Sequence, residues 1–294
     1  MKLSKYKIKR FLFSILLVFT GITNQINAQQ PLKRFLQPTT VINSIPYGAN
    51  PKAAHYAISG DARIYYEVYG KGDPFVLLHG GLFGSSIEMA SFIDSLSKKY
   101  QVIVISTRGH GKSELGSSPI TLTQRATDVL NVVKVITNEK LILLGFSDGG
   151  YTAYQFGAMF PDRVKKMIVI GAGELYPGSR SFGFTSKQAI TLDSSYWAQQ
   201  ISLMPQPERL EELFQGVANC YNKLIVGKGL LGSIKCPVLV MAGDRDDGNP
   251  VQKVLNAAQM IPNHQLSIIP NAGHPAFLDN FAAVWTAILP FIKE

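Results

Sequence analysis

Short, uninterrupted apolar runs rich in Val, Ile and Leu recur along this chain: 75–78 (FVLL), 102–105 (VIVI), 141–144 (LILL), 167–170 (MIVI) and 238–241 (VLVM). Each is too short for a helix, and the turn residues around them mark them as strands. Continuous apolarity, rather than alternation, means that both faces are covered. Helical stretches lie between them. Residues 121–137 put Leu122, Ala126, Val129, Val133 and Ile136 on one face, and further helices are expected at 148–160, 250–261 and 276–292. Pro250 suits a first helical turn. Strand–helix alternation predicts an α/β fold with a mostly parallel, twisted sheet and helices on both faces. In such a sheet the ligand site lies beyond the carboxyl ends of the strands.

One section breaks the alternation. Residues 174–233 separate the fourth run from the fifth and carry Tyr176, Phe182, Phe184, Tyr196, Trp197, Phe214 and Tyr221. That is too long for a loop, so an inserted helical cap is expected, with five basic and five acidic residues in balance. The core is then 54–173 with 234–294.

The formal charge of +9 is concentrated at the start. Lys2, Lys5, Lys7, Lys9 and Arg10 precede the apolar run FLFSILLVFTGI at 11–22, and a polar stretch ends at Ala28. A basic start, a short apolar run and a small residue at the cut describe a signal peptide, residues 1–28, although Ile26 is larger than usual at its position. The run is shorter than the roughly 20 residues of a spanning helix. Export to a periplasm or outside the cell is therefore expected. Beyond residue 28 there are 24 basic and 20 acidic residues, and no basic patch with interleaved aromatics, so no nucleic-acid partner is expected. Residues 29–53, with four prolines, read as a polar leader. Two cysteines, Cys220 and Cys236, do not make a disulfide framework.

The run at 141–144 leads into Gly145-Phe146-Ser147-Asp148-Gly149-Gly150 and then a helix. G-x-S-x-G between strand and helix is a nucleophile elbow: the turn is so tight that the residues flanking Ser147 must be small. A serine hydroxyl needs a base. Of five histidines, His274 follows a strand-like run at 266–269 and so falls at the expected edge. His79 also ends a strand. The base needs a carboxylate to fix its tautomer, and the run at 238–241 ends in Gly243-Asp244-Arg245-Asp246-Asp247, where three acids compete. Gly111-Lys112-Ser113 lacks the earlier glycine of a phosphate loop, since Ser106 stands there. No spacing points to a metal, and no cofactor is expected.

These motifs together resemble the α/β-hydrolase superfamily across about residues 55–294: His79-Gly80-Gly81, Arg108 to Ser113, Gly145 to Gly150, Gly243 to Asp246, and Gly273-His274. The elbow resembles that of the valacyclovir-hydrolase, or biphenyl-hydrolase-like, branch. The resemblance implies Asp246 as the acid, with Asp244 a turn residue and Asp247 a solvated neighbour. It implies an oxyanion hole from the N–H groups of Gly81 and Asp148, and a supporting role for His79. The chain departs from the family at Ser106, where an acid is usual, and at Pro275 after the histidine. The expected activity is hydrolysis of a small, apolar or aromatic carboxylic ester, thioester or amide through an acyl-enzyme on Ser147, with a small-molecule substrate as partner. A cofactor-free haloperoxidase or lyase could use the same triad, and an exported binding protein could have inherited the fold.

Overall fold

The computed structural model describes residues 32–37, 45–179 and 181–293. The expected signal peptide and part of the expected leader lie outside the described residues. Eight strands form one sheet: β1 (Ala54–Ser59), β2 (Ala62–Tyr69), β3 (Pro74–Leu78), β4 (Gln101–Ile105), β5 (Leu141–Phe146), β6 (Val164–Ile170), β7 (Val238–Gly243) and β8 (His264–Ile269). Their order is β1-β2-β4-β3-β5-β6-β7-β8. The β1–β2 and β2–β4 pairs are antiparallel and the rest are parallel.

Alternation within each strand sorts the core into two clusters. Val76, Leu78, Ile103, Ile105, Leu143 and Val169 face one way. That side packs against α2 (Leu122–Lys134), α3 (Asp148–Met159) and α8 (Val251–Met260). Phe75, Leu77, Val102, Val104, Leu144 and Ile168 face the other way, toward α1 (Ala90–Leu96), α9 (Ala276–Asp279) and α10 (Phe281–Lys293). All twelve strand residues are buried, which is why the sequence shows runs rather than alternation.

Three details differ from expectation. Strand β1, at the sheet edge beside β2, carries exposed Tyr56 and Ile58 and no continuous apolar run. Pro250 stands just before α8 as its N-cap, not in its first turn. The helix expected over 276–292 is two helices. Asn280 leaves helical geometry (φ −146°, ψ 73°), and its Oδ1 accepts the Ala283 N–H at 3.1 Å, capping α10.

Between β6 and β7 run α4 (Ser186–Leu192), α5 (Ser194–Leu203), α6 (Leu210–Tyr221) and the short α7 (Lys228–Leu231). Thr185 and Gln188 form a reciprocal capping box on α4, and Asp193 caps α5 by accepting the Tyr196 N–H at 3.1 Å. Tyr196, Trp197, Leu210, Leu213 and Phe214 join the core cluster on the α2–α3 side.

The described leader residues are packed rather than extended away from the fold. Lys33 Nζ donates to Asp193 Oδ1 at 2.5 Å, and the Leu36 N–H donates to Asp193 Oδ2 at 2.8 Å. Phe35 stacks on Phe83 with centroids 4.5 Å apart and meets Tyr196 edge-on at 5.4 Å. Phe35, α5 and the loop after β3 therefore share one aromatic contact.

Candidate active site

Ser147 sits between β5 and α3 with φ 51° and ψ −112°, a backbone conformation that L-residues adopt only under constraint. The glycines on either side allow it. A Cβ on Gly145 would lie 2.2 Å from the Gly149 carbonyl oxygen, and one on Gly149 would lie 2.4 Å from that of Leu78. The Ser147 N–H is tied to the Ile170 carbonyl at 2.8 Å, which fixes the turn to the end of β6.

His274 follows β8 and reaches Ser147: its Nε2 lies 2.9 Å from Ser147 Oγ, and its Nδ1 lies 2.8 Å from Asp246 Oδ2. A carboxylate only accepts, so Nδ1 carries the proton and Nε2 is free to accept from the serine hydroxyl. Asp246, after β7, is buried, and its Oδ1 accepts the Asn249 N–H at 2.7 Å. Asn249 Oδ1 in turn accepts from the Tyr151 hydroxyl at 2.7 Å and from the Gly173 N–H at 3.2 Å. Asn249 and Tyr151 are supports that carry no motif signal. Gly171 (φ 65°) is another: a Cβ there would come within 3.1 Å of His274 Cε1.

The competing acids separate cleanly. Asp244 is exposed and accepts the Ala272 N–H at 3.0 Å, which, with the Asn271 N–H, lowers its pKa. Asp247 is exposed. The competing histidines separate too. His79 is buried, its Nδ1–H donating to the Gly80 carbonyl at 2.6 Å and its Nε2 accepting the Thr107 N–H at 3.0 Å. Burial pushes its pKa down to about 4, so it is neutral and holds the loop. His110 is buried at the 108–111 turn, His55 stacks on Tyr66, and His264 Nδ1 lies 2.7 Å from the Ile261 carbonyl. Lys112 lies 5.6 Å from the centre of the Tyr65 ring, a cation–π contact.

Gly81 and Asp148 are adjacent in space: a Cβ on Gly81 would lie 2.8 Å from Asp148 Cβ. The Asp148 carboxylate is buried and pairs with Arg125 of α2, while the Tyr221 hydroxyl donates to it. On the other side of the loop, the Gly80 N–H donates to Glu88. Burial raises the Glu88 carboxyl to about 8, so it is largely protonated at neutral pH. Arg108 anchors the next turn through Asp128 and Asp61, with its Nη2 2.8 Å from Asp128 Oδ1 and its Nη1 2.8 Å from Asp61 Oδ1. Ser106, where the family usually has an acid, has its Oγ 3.1 Å from Ser86 Oγ.

Residues 73–203 match the model of the alpha/beta hydrolase fold family. The chain has the α/β-hydrolase fold and is similar to that family. This α/β hydrolase is 26% identical over 271 residues to serine hydrolase BPHL of Mus musculus, covering 84% of this chain and 91% of that protein. It is 27% identical over 205 residues to 3-oxoadipate enol-lactonase 2 of Acinetobacter baylyi, covering 63% of this chain and 77% of that one. Among solved structures, Est816, described as an N-acyl homoserine lactone degrading enzyme, superposes with a TM-score of 0.68 at 21% identity, covering 81% of this chain and all of that one. The match to BPHL agrees with the branch that the elbow resembles.

Among the described residues no cluster could hold a metal ion, and no helix is long and apolar enough to cross a membrane. Cys220 and Cys236 are both free. Two adjoining cavities lie between residues 196–213 and the 109–115 turn, sharing Gly109, Met204 and Leu213. Neither is lined by Ser147 or His274, which stand half-exposed at the edge of the sheet.

Proposed function

We propose that this hydrolase cleaves a small carboxylic ester, or the related thioester or amide, through an acyl-enzyme on Ser147. The observation that carries the reading is His274, one ring nitrogen on the Ser147 hydroxyl and the other on a buried carboxylate. In the first step His274 Nε2 takes the hydroxyl proton as Oγ attacks the carbonyl carbon. Asp246 stabilises the imidazolium and keeps the proton on Nδ1. The N–H groups of Gly81 and Asp148 receive the oxyanion. The imidazolium then protonates the leaving group, and water repeats the cycle with the same base. The aromatic side chains of the cap and of Phe83 support an apolar or aromatic acyl or alcohol portion. We also infer that residues 174–233 act as a cap over the site, and that the chain is exported after cleavage behind Ala28, giving a mature protein that begins at Gln29.

Fluorophosphonate labelling, read by intact mass beside Ser147→Ala and His274→Ala, tests the chemistry. A single adduct on the parent protein, absent from both variants, is expected. A well-folded parent without an adduct would overturn the acyl-enzyme reading. The mass of the protein recovered from the cell envelope or medium tests the cut.

A further inference from the structure

The cavity under α5 is lined by Leu82, Gly84, His110, Trp197 and Gln200 among others. Three of these residues hold a buried polar atom with no hydrogen-bond partner: His110 Nε2, Trp197 Nε1 and Gln200 Nε2. Each side chain is more than nine-tenths buried, at 5%, 3% and 4% exposure. An unpaired buried polar atom is costly, and three around one cavity call for a common occupant.

Their chemistry specifies what that occupant offers. The indole N–H and the amide N–H₂ only donate. His110 Nδ1 lies 3.1 Å from the Arg108 carbonyl, which only accepts, so the proton sits on Nδ1. Burial, with His79 and Arg125 nearby, pushes the pKa of His110 down to about 3, so the ring is neutral and Nε2 accepts. Two donors and one acceptor match a group that both accepts and donates. No Lys, Arg, Asp or Glu lines the cavity, and the nearby charges of Arg125 and Asp148 pair with each other, so a neutral group is favoured over an ion.

The place is right for a substrate. Leu82 and Gly84 belong to the loop that carries Gly81, so the cavity borders the proposed oxyanion hole. The cavity has room of about 10 Å³, enough for about one water, so a group larger than a hydroxyl enters only if the lining shifts, and Trp197 and Gln200 both lie on α5.

We propose that this cavity is a substrate subsite for an uncharged group that both accepts and donates hydrogen bonds, a hydroxyl or a carboxamide. The inference rests on the hydrolase reading for the meaning of substrate, but its binding chemistry stands on these three side chains.

Ligand-detected NMR with benzyl alcohol, benzamide and toluene tests it on the purified protein, Gln200→Leu and Trp197→Phe. The parent is expected to bind at least one polar probe about tenfold more tightly than toluene. Both variants are expected to lose that preference while still binding toluene. Benzyl alcohol against benzamide distinguishes hydroxyl from amide. Equal binding of all three probes by the parent, or an unchanged preference in both variants, would overturn the subsite and leave the three atoms to an ordered water. A parent that shows the preference but resists fluorophosphonate would instead sink the acyl-enzyme reading and keep the subsite.

Discussion

The Tyr221 hydroxyl, on α6, donates to the carboxylate of Asp148, the residue that follows Ser147. Helix α6 thereby touches the residue whose N–H is proposed to hold the oxyanion. Arg125 fixes the same carboxylate from α2. Tyr221→Phe keeps the ring and removes the donor. It is expected to lower kcat on an activated ester by about tenfold, less than the ~100-fold of losing an oxyanion donor outright. KM should change little. A fall in kcat no larger than the scatter of the assay would separate α6 from the proposed oxyanion hole.

Removing Arg125 is a different perturbation, because it leaves a buried carboxylate without its cation. Arg125→Leu is expected to destabilise the fold by about 3–5 kcal/mol, against about 1 kcal/mol for Tyr221→Phe. Urea denaturation of the two variants checks the order, and an Arg125→Leu midpoint equal to that of Tyr221→Phe would contradict it.

Asp246 and its rivals offer a direct comparison. Asp246→Asn keeps the shape but lets Nδ1 of His274 face a donor, so the tautomer is no longer fixed. A loss in kcat on the order of 10⁴-fold is expected. Asp247→Asn, at an exposed position, should stay near the parent value. Steady-state kinetics on p-nitrophenyl acetate would decide, and near-parent activity in Asp246→Asn would reassign the acid.

The buried Glu88 carboxyl gives a pH signature. Its folded pKa, raised by burial to about 8, lies above the unfolded value, so the folded state holds the proton more tightly. The stability it contributes is full below about pH 4.5 and is lost as pH rises through about 8. Glu88→Gln still offers an oxygen to the Gly80 N–H but cannot ionise. Melting temperatures measured from pH 6.5 to 9 should fall with pH in the parent more than in Glu88→Gln. That window lies above the His79 and His110 transitions, which act in the opposite sense: their depressed pKa values cost stability as pH falls below about 6.5. Parallel curves for the two proteins would rule out Glu88 as the source.

The contacts of Lys33, Phe35 and Leu36 with Asp193 and Phe83 predict an effect on residues 174–233. Asp193 is buried, which pushes its pKa up, but Lys33 and the N–H groups of Leu36 and Tyr196 together bring it down to about 2. Phe35→Ala removes a stacked ring from Phe83 and is expected to cost about 1–3 kcal/mol. Limited proteolysis should then cut within 174–233 faster than in the parent; an unchanged rate would make these contacts incidental.

Much of this was written in local sequence. Strands β3 to β7 are visible because residues such as Val76 and Leu77 are buried on opposite faces, so no polar residue interrupts the run. The elbow is visible because its backbone geometry admits only glycine at 145 and 149. Strand β1 was not visible, because an edge strand with Tyr56 and Ile58 exposed needs no apolar run. The break at Asn280 was hidden because local apolar periodicity passes through it. Choosing among Asp244, Asp246 and Asp247 from their residue types alone was impossible: all three follow one strand, and only burial and the direction of the side chain distinguish them. The same holds for the meeting of Arg125, Asp148 and Tyr221, and for the three unpaired atoms under α5. Covalent geometry and local periodicity determine which segments form strands and helices and where the turn at Ser147 sits, whereas which distant charges pair, and which buried polar atoms are left without a partner, is decided only when the chain packs.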